Sequence, residues 1–362
     1  LSAVGGTSGL NKVSWRKNDG NGNFGTEQII TTEFQYARSL LVADINGDSI
    51  QDVVLASSLN GHNKIAWYQN DGNGTFVTGK DITTTNDYAN EVQSIFAVDI
   101  DGDNDIDIIT ASSGDNEIGV FKNNGNGLGF WRYTVLTHTA NGVGSVYAAD
   151  VNGDNIPDVL SASYADDQIA WYQNDGSGNV GTKQVITDLA DSARNVVAAD
   201  LDGDGDMDVL SASGNDDKIA WYENDGSGNF GPQQVISNYP ETSNAEILHV
   251  VDFDKDGDLD VFGLGGMNTD IVWFENNGTG NFVSRTIVST SYGLHLSDVS
   301  TADLNEDGVL DVLVAKSTGA YRIAWYPANT SCIEGCQNCA AGTRLAGDPK
   351  DTGTQCCVDG YQ

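Results

Sequence analysis

Asp44-Ile-Asn-Gly-Asp-Ser-Ile-Gln-Asp52 and, shortly after it, Ile65-Ala-Trp-Tyr-Gln-Asn-Asp-Gly-Asn-Gly-Thr-Phe76 decide the fold, because both recur along the chain. The acidic segment begins again at Asp99, Asp150, Asp200, Asp252 and Asp303, at spacings of 50 to 55 residues. The aromatic segment returns around Trp15, Trp171, Trp221, Trp273 and Trp325, and Val120 holds its place in one copy. There are thus six acidic segments against seven aromatic ones. A fixed period of this length must be read before any domain count is drawn from chain length.

Each period parses into four short strands. The run Leu40-Leu-Val-Ala43 leads into the acidic loop, Val53-Val-Leu-Ala56 leads out of it, Lys64-Ile-Ala-Trp-Tyr68 follows, and a last strand starts near Phe76. Short runs rich in Val, Ile, Trp and Tyr between Asn/Asp/Gly clusters are strand signals. The Asn-Asp-Gly-x-Gly tract is turn chemistry, since Gly and Asn accept positive φ. No long amphipathic helix is visible. Four antiparallel strands per repeat predict an all-β protein, a β-propeller of four-stranded blades, which leaves only short sheet edges by repeating radially. An elongated solenoid is the alternative architecture. Counting the aromatic segments, seven blades are expected, with six as the alternative. Leu1-Ser2-Ala3 aligns with Leu210-Ser-Ala212, which predicts either missing upstream sequence or a ring closed by strands shared between the ends.

In every acidic loop the first, third, fifth and ninth places are Asp or Asn. They are Asp44, Asn46, Asp48 and Asp52; Asp99, Asp101, Asp103 and Asp107; Asp150, Asn152, Asp154 and Asp158. The later loops give Asp200, Asp202, Asp204 and Asp208; Asp252, Asp254, Asp256 and Asp260; Asp303, Asn305, Asp307 and Asp311. Three or four carboxylates within nine residues repel one another unless a cation sits among them. Oxygen-only ligation of this kind suits Ca²⁺, whereas Mg²⁺ prefers fewer protein ligands and keeps its waters. An EF-hand also starts Asp-x-Asp-x-Asp but needs a Glu at its twelfth place. Here that place holds Leu55, Thr110, Ser161, Ser211, Gly263 and Val314, between strands rather than helices. Plain solvated acidic turns are the competing reading of any one copy, and six copies in register weaken it.

The pattern Asp-x-[Asp/Asn]-x-Asp-x-x-x-Asp between apolar strands, followed by Ile-Ala-Trp-Tyr-x-Asn-Asp-Gly, resembles the FG-GAP/VCBS repeats of integrin-α-like propellers. The resemblance spans residues 1–327. It implies a structural Ca²⁺ in each loop, about six in all, with the seventh residue adding its backbone carbonyl: Ile50, Asp105, Ile156, Asp206, Asp258 and Val309. Two departures stand out. Asn replaces Asp at the third place in three loops, and glycine fills the sixth place only at Gly205, Gly257 and Gly308, with Ser49 the least comfortable substitute.

Composition narrows the function. The 362 residues carry 52 acids against 17 Lys and Arg, a formal charge of −35. That balance argues against nucleic acid and against direct contact of this segment with an anionic membrane, both of which need clustered cations. No run approaches the roughly 18 apolar residues of a membrane span. Bound Ca²⁺ would relieve part of the charge and stabilise the folded state by mass action.

Residues 328–362 read as a separate cysteine-rich segment. Cys332, Cys336, Cys339, Cys356 and Cys357 all fall there. Their density resembles the start of an EGF-like disulfide module; half a zinc site at Cys336-x-x-Cys339 is the lesser reading. Sequons at Asn73, Asn277 and Asn329 are candidate N-glycan sites. Together these features point to an extracellular or cell-surface setting and to a larger chain or assembly. The repeated Trp-Tyr pairs read first as inter-blade core and second as sugar-stacking platforms. His62, His138, His249 and His295 keep no place in the period, and no nucleophile pair accompanies them. The leading expectation is a non-enzymatic calcium-binding module for adhesion or structural assembly, with other extracellular proteins or glycans as partners. A glycan-binding lectin comes second and a polysaccharide-acting enzyme third.

Overall fold

The computed structural model describes residues 2–4, 12–33, 37–58, 64–77, 79–83, 90–125, 131–238, 244–265, 270–289, 296–316 and 322–328. Every regular element among them is a β-strand, and strands adjacent in sequence pair antiparallel within each sheet. The sheet of Val143–Ala149, Asp158–Ser163, Gln168–Tyr172 and Gln184–Thr187 is representative. Its second strand, Asp-Val-Leu-Ser-Ala-Ser, is buried at every residue. Leu160 faces Trp171 and Ala162 faces Ile169 in register. The pairing slips between Val143 and Ser145 and again between Ile169 and Ala170, and equivalent slips recur in other sheets. Such bulges tighten the local twist of a strand.

Continuous burial has a simple cause: side chains alternate between two faces, and each face is covered by a neighbouring sheet. Val53, Leu55, Ala66 and Tyr68 cluster with Val13 of the preceding sheet. Their alternates Val54, Ala56, Ile65 and Trp67 cluster with Val92, Ile95, Ile108 and Phe121 of the following one. Ile109, Ala111, Ile118 and Val120 then meet Val143, Val146, Val159 and Tyr172. Leucine, valine and isoleucine buried on both faces are worth about 1.5–3 kcal/mol each relative to exposure.

The chain forms two compact units. The first takes residues 1–16, 26–198 and 223–231, and the second takes 17–25, 199–222 and 232–362. In the second, Phe262, Leu264, Ile271 and Trp273 pack with Leu296, Val299, Val312, Val314 and Tyr326.

The expectation of seven four-stranded blades is corrected to six. Among the described residues, six sheets carry an acidic loop between their first two strands, and five of these have four strands. The last of the six, Leu296–Ala302, Asp311–Lys316 and Arg322–Tyr326, has three. The sheet around Trp15, made of Ser2–Val4, Lys12–Trp15 and Gln28–Thr31, has three strands and no acidic loop. Counting tryptophan segments counted this partial sheet as a blade. The cysteine segment and its expected disulfides lie outside the described residues, as do Asn329, His62 and His295.

Candidate metal centre

The acidic loops are built by their own carboxylates. In the loop of Asp150, Oδ1 accepts from the Gly153 and Asp154 amides at 2.8 and 3.2 Å, and Oδ2 accepts from Asn155 at 2.6 Å. Asn152 Oδ1 accepts from the Asp154 amide at 3.0 Å, and Asp154 Oδ1 from Ile156 at 2.9 Å. These local bonds are the reason Asp and Asn are favoured in tight turns. The fourth residue has positive φ in all six loops, at Gly47, Gly102, Gly153, Gly203, Lys255 and Glu306. The sixth does too, including Ser49 at +66°.

The ninth residue behaves differently. Asp52, Asp107, Asp158, Asp208, Asp260 and Asp311 are all fully buried, 0% exposed. Asp158 Oδ1 accepts from the Asn174 amide at 2.8 Å and Oδ2 from the Val151 amide at 3.4 Å, so it joins loop, strand and following turn. Asp260 does the same with Asn276 and Phe253. Asp52 adds the Trp67 indole, Nε1 to Oδ2, at 2.9 Å. Burial raises these carboxyls: Asp107 and Asp260 to about 7 and Asp158 to about 6. Asp254 is also raised to about 6, first by burial and then by the neighbouring Asp256 charge. A negative charge held in such surroundings is stabilised by a cation.

Three loops bring their first, third and ninth carboxylates together. Asp99, Asp101 and Asp107, then Asp200, Asp202 and Asp208, then Asp252, Asp254 and Asp260, each offer oxygens within 4.8 Å of one another. These are the loops with Asp at the third place. In two of the three loops with Asn there, Asn46 Nδ2 donates to Asp48 Oδ2 at 2.9 Å and Asn305 Nδ2 to Asp307 Oδ2 at 3.0 Å, while buried Asn152 Nδ2 has no partner. The fifth carboxylates, the remaining expected side-chain ligands, lie outside these convergent sets, and each accepts from a seventh-place amide through Oδ1. Buried Asp101 Oδ1 and Asp252 Oδ1 have no hydrogen-bond partner. Orphaned carboxylate oxygens inside an all-oxygen cluster fit a hard divalent cation such as Ca²⁺.

Sequence reasoning missed a latch between sheets. The turn asparagine of one sheet donates to the second-place carbonyl of another sheet's loop: Asn123 to Ile45, Asn174 to Ile100 and Asn224 to Val151, each at 2.8 Å. In the second unit, Asn276 reaches Leu201 at 2.6 Å and Asn18 reaches Leu304 at 2.7 Å. The signal was the recurrence of Asn at this place, which turn chemistry alone does not require.

Four of the tryptophans pack inside. Trp67, Trp171, Trp221 and Trp273 are at most 4% exposed. Trp15 lies against Gly74, Trp171 against Gly228, Trp221 against Gly280 and Trp325 against Gly22, where an added Cβ would fall 2.0–2.5 Å from the ring. Trp67, Trp171, Trp221 and Trp273 are inter-sheet core rather than exposed stacking platforms, and Trp15 and Trp325 are half-buried. Asn73 and Asn277 sit exposed in turns. His138 Nδ1 lies 3.3 Å from Glu117, and His249 Nε2 lies 2.9 Å from Thr301 Oγ1.

These sheets and loops define a β-propeller whose blades carry an acidic loop between their first two strands. The chain belongs to the FG-GAP-like repeat family, which matches residues 2–55, 44–110, 99–161, 150–211, 200–263 and 252–314. Six matches agree with six loop-bearing blades and overturn the count of seven. No curated protein sequence matches the chain. Among solved structures it is similar to a protein from Lactobacillus plantarum, with a TM-score of 0.61 and 15% identity over 84% of each chain. It is also similar to an Agrocybe aegerita lectin that recognises non-reducing terminal N-acetylglucosamine, with a TM-score of 0.57 and 21% identity over 79% of each chain. At these identities the likeness is one of fold.

Proposed function

We propose that the chain is a calcium-stabilised, non-enzymatic propeller that works outside the cell as an adhesion or assembly module. The observation that carries this reading is the convergence of three carboxylates in each all-Asp loop, with Asp101 Oδ1 and Asp252 Oδ1 buried and unpartnered. When bound, Ca²⁺ supplies counter-charge. The chain's own part is to hold the first and ninth aspartates at the two ends of the loop, so that the junction of the first two strands is fixed. Extracellular calcium is abundant enough for sites of about 10⁻⁴–10⁻³ M affinity. The cysteine-rich segment and the sequons support the same setting.

A glycan-binding role is the second reading, favoured by the lectin among the similar folds. Its weakness is the burial of the repeated tryptophans, so a sugar site would have to be built from other side chains. Calcium titration of the EDTA-treated protein, followed by glycan-array and extracellular-protein binding screens in calcium, tests both readings. Ion uptake with protein partners supports adhesion or assembly, glycan binding supports the lectin, and no ion uptake overturns the calcium-stabilised module.

A further inference from the structure

The second loop departs from its sisters in two places at once. Val120 stands where the repeat has tryptophan, and Lys122 stands where the other loop-bearing blades have Gln69, Gln173, Glu223, Glu275 and Pro327. The two changes are spatially linked. In four other copies an indole covers the second glycine of a neighbouring turn, at Gly22, Gly74, Gly228 and Gly280. At Gly178 the corresponding space is filled by Lys122, whose Nζ would lie 2.6 Å from an added Cβ. A valine leaves that space open, and the lysine side chain runs into it.

From there the ammonium reaches the acidic cluster. Lys122 Nζ lies 3.2 Å from Asp101 Oδ2 and donates to the Ser177 carbonyl at 2.7 Å. Both side chains of the ion pair are only 19% exposed. Valine also removes the indole donor that Asp52 has in Trp67, leaving Asp107 with the Asn123 amide at 2.7 Å and the Ile100 amide at 3.3 Å. By contrast, no Lys or Arg forms an ion pair with Asp252, Asp254 or Asp260 among the described residues. Glu275, the counterpart of Lys122, is held by Arg285 at 2.6 Å.

We infer that Lys122 is a built-in counter-cation of the loop Asp99–Asp107, so that this loop is partly neutralised without metal and takes a divalent ion more weakly than the loop Asp252–Asp260. This rests on the calcium reading proposed above. A fixed positive charge about 3 Å from one carboxylate oxygen opposes a second cation in the same cluster and offsets the repulsion among the three aspartates. The two effects have opposite signs in stability and in affinity, and so they are separable.

The test is Lys122→Gln, with Lys122→Met as a second neutral variant, each followed by calcium titration and by thermal melting with and without EDTA. Removing the charge is expected to tighten one calcium step by about tenfold or more and to leave the others unchanged. In EDTA both variants should melt below the parent, and millimolar calcium should restore them. A parent and variants with the same isotherm and the same EDTA melt would overturn the inference. If the variants melt lower in EDTA but neither they nor the parent take up calcium, the counter-charge role of Lys122 stands while the weaker-site inference and the calcium reading both fall. Should Lys122→Gln not fold, Asp101→Asn serves instead. It should leave the tighter calcium steps of the parent unchanged, whereas Asp254→Asn should abolish one; loss of a tight step in Asp101→Asn would contradict the proposal.

Discussion

Asn18 Nδ2 donates to the Leu304 carbonyl at 2.7 Å, joining residues 286 positions apart. The Gly22 amide reaches the same carbonyl at 3.0 Å. This is the same latch that Asn174 makes to Ile100, so the turn after the partial first sheet engages the last acidic loop as the other turns engage theirs. Truncating Asn174 takes the side-chain donor from the buried Ile100 carbonyl, whereas truncating Asn18 leaves the half-buried Leu304 carbonyl with the Gly22 amide. Asn174→Ala should therefore cost about 2–3 kcal/mol and the less buried Asn18→Ala about 1–2 kcal/mol, read by urea unfolding. Variants as stable as the parent would show that the latch contributes nothing.

One latch is missing. Ala328 occupies the turn position that holds Asn in the other copies, and its amide still donates to Asp311 Oδ1 at 2.9 Å. No side-chain amide from this position can reach the Phe253 carbonyl, its expected partner. Ala328→Asn should raise stability by about 1 kcal/mol, read by urea unfolding. An unchanged or lower midpoint would mean that the seam between the last two blades has a different geometry.

Burial raises Asp107 and Asp260 to about 7 and Asp158 to about 6, against about 3.9 for an unfolded aspartate. The folded protein then binds these protons more tightly than the unfolded chain. Their contribution is fully present below the unfolded value and is lost as pH rises through about 6–7. In EDTA the melting temperature should fall between pH 5.5 and pH 8, and calcium should flatten or reverse that slope. A metal-free melt that rises over this window would contradict the assignment.

Glycine demands differ from place to place. At Gly228, φ is +77° and an added Cβ would lie 2.5 Å from Trp171. At Gly205, φ is +98° with nothing within 4 Å. Gly228→Ala combines collision with strain and should cost about 3 kcal/mol, whereas Gly205→Ala should cost only about 1 kcal/mol. Equal losses in chemical denaturation would refute the close contact with the indole.

Ser49 sits at φ +66°, where glycine carries no Cβ penalty. Ser49→Gly should stabilise the first loop by about 1 kcal/mol, measurable as a shift of the urea midpoint. A destabilised variant would show that the serine side chain makes a compensating contact.

Much of this fold was legible because the repeat writes the same strands many times. The run Asp158-Val-Leu-Ser-Ala-Ser163 lies between turn signals, and the structure makes it a buried central strand. Alternation puts Trp67 and Tyr68 on opposite faces and predicts that one is more exposed, yet they are 1% and 3% exposed because a neighbouring sheet covers each face. The blade count was misread because Trp15 carries the aromatic signal while its sheet, among the described residues, has three strands and no acidic loop. At the candidate site, spacing singled out the first, third and ninth aspartates, and the structure brings their carboxylates together in the three all-Asp loops. Spacing could not reveal that Asp103 turns to the Asp105 amide, or that Lys122 enters the cluster through the space left by Val120. Those outcomes depend on contacts between neighbouring strands and sheets, which a linear period does not encode.

The measurement closest to the central claim is a calcium count by native mass spectrometry with the thermal melt recorded on the same samples, in millimolar calcium and after EDTA. The account predicts bound calcium that EDTA removes, and a lower melting temperature once it is gone. Protein that carries no calcium and melts identically in both conditions would contradict it.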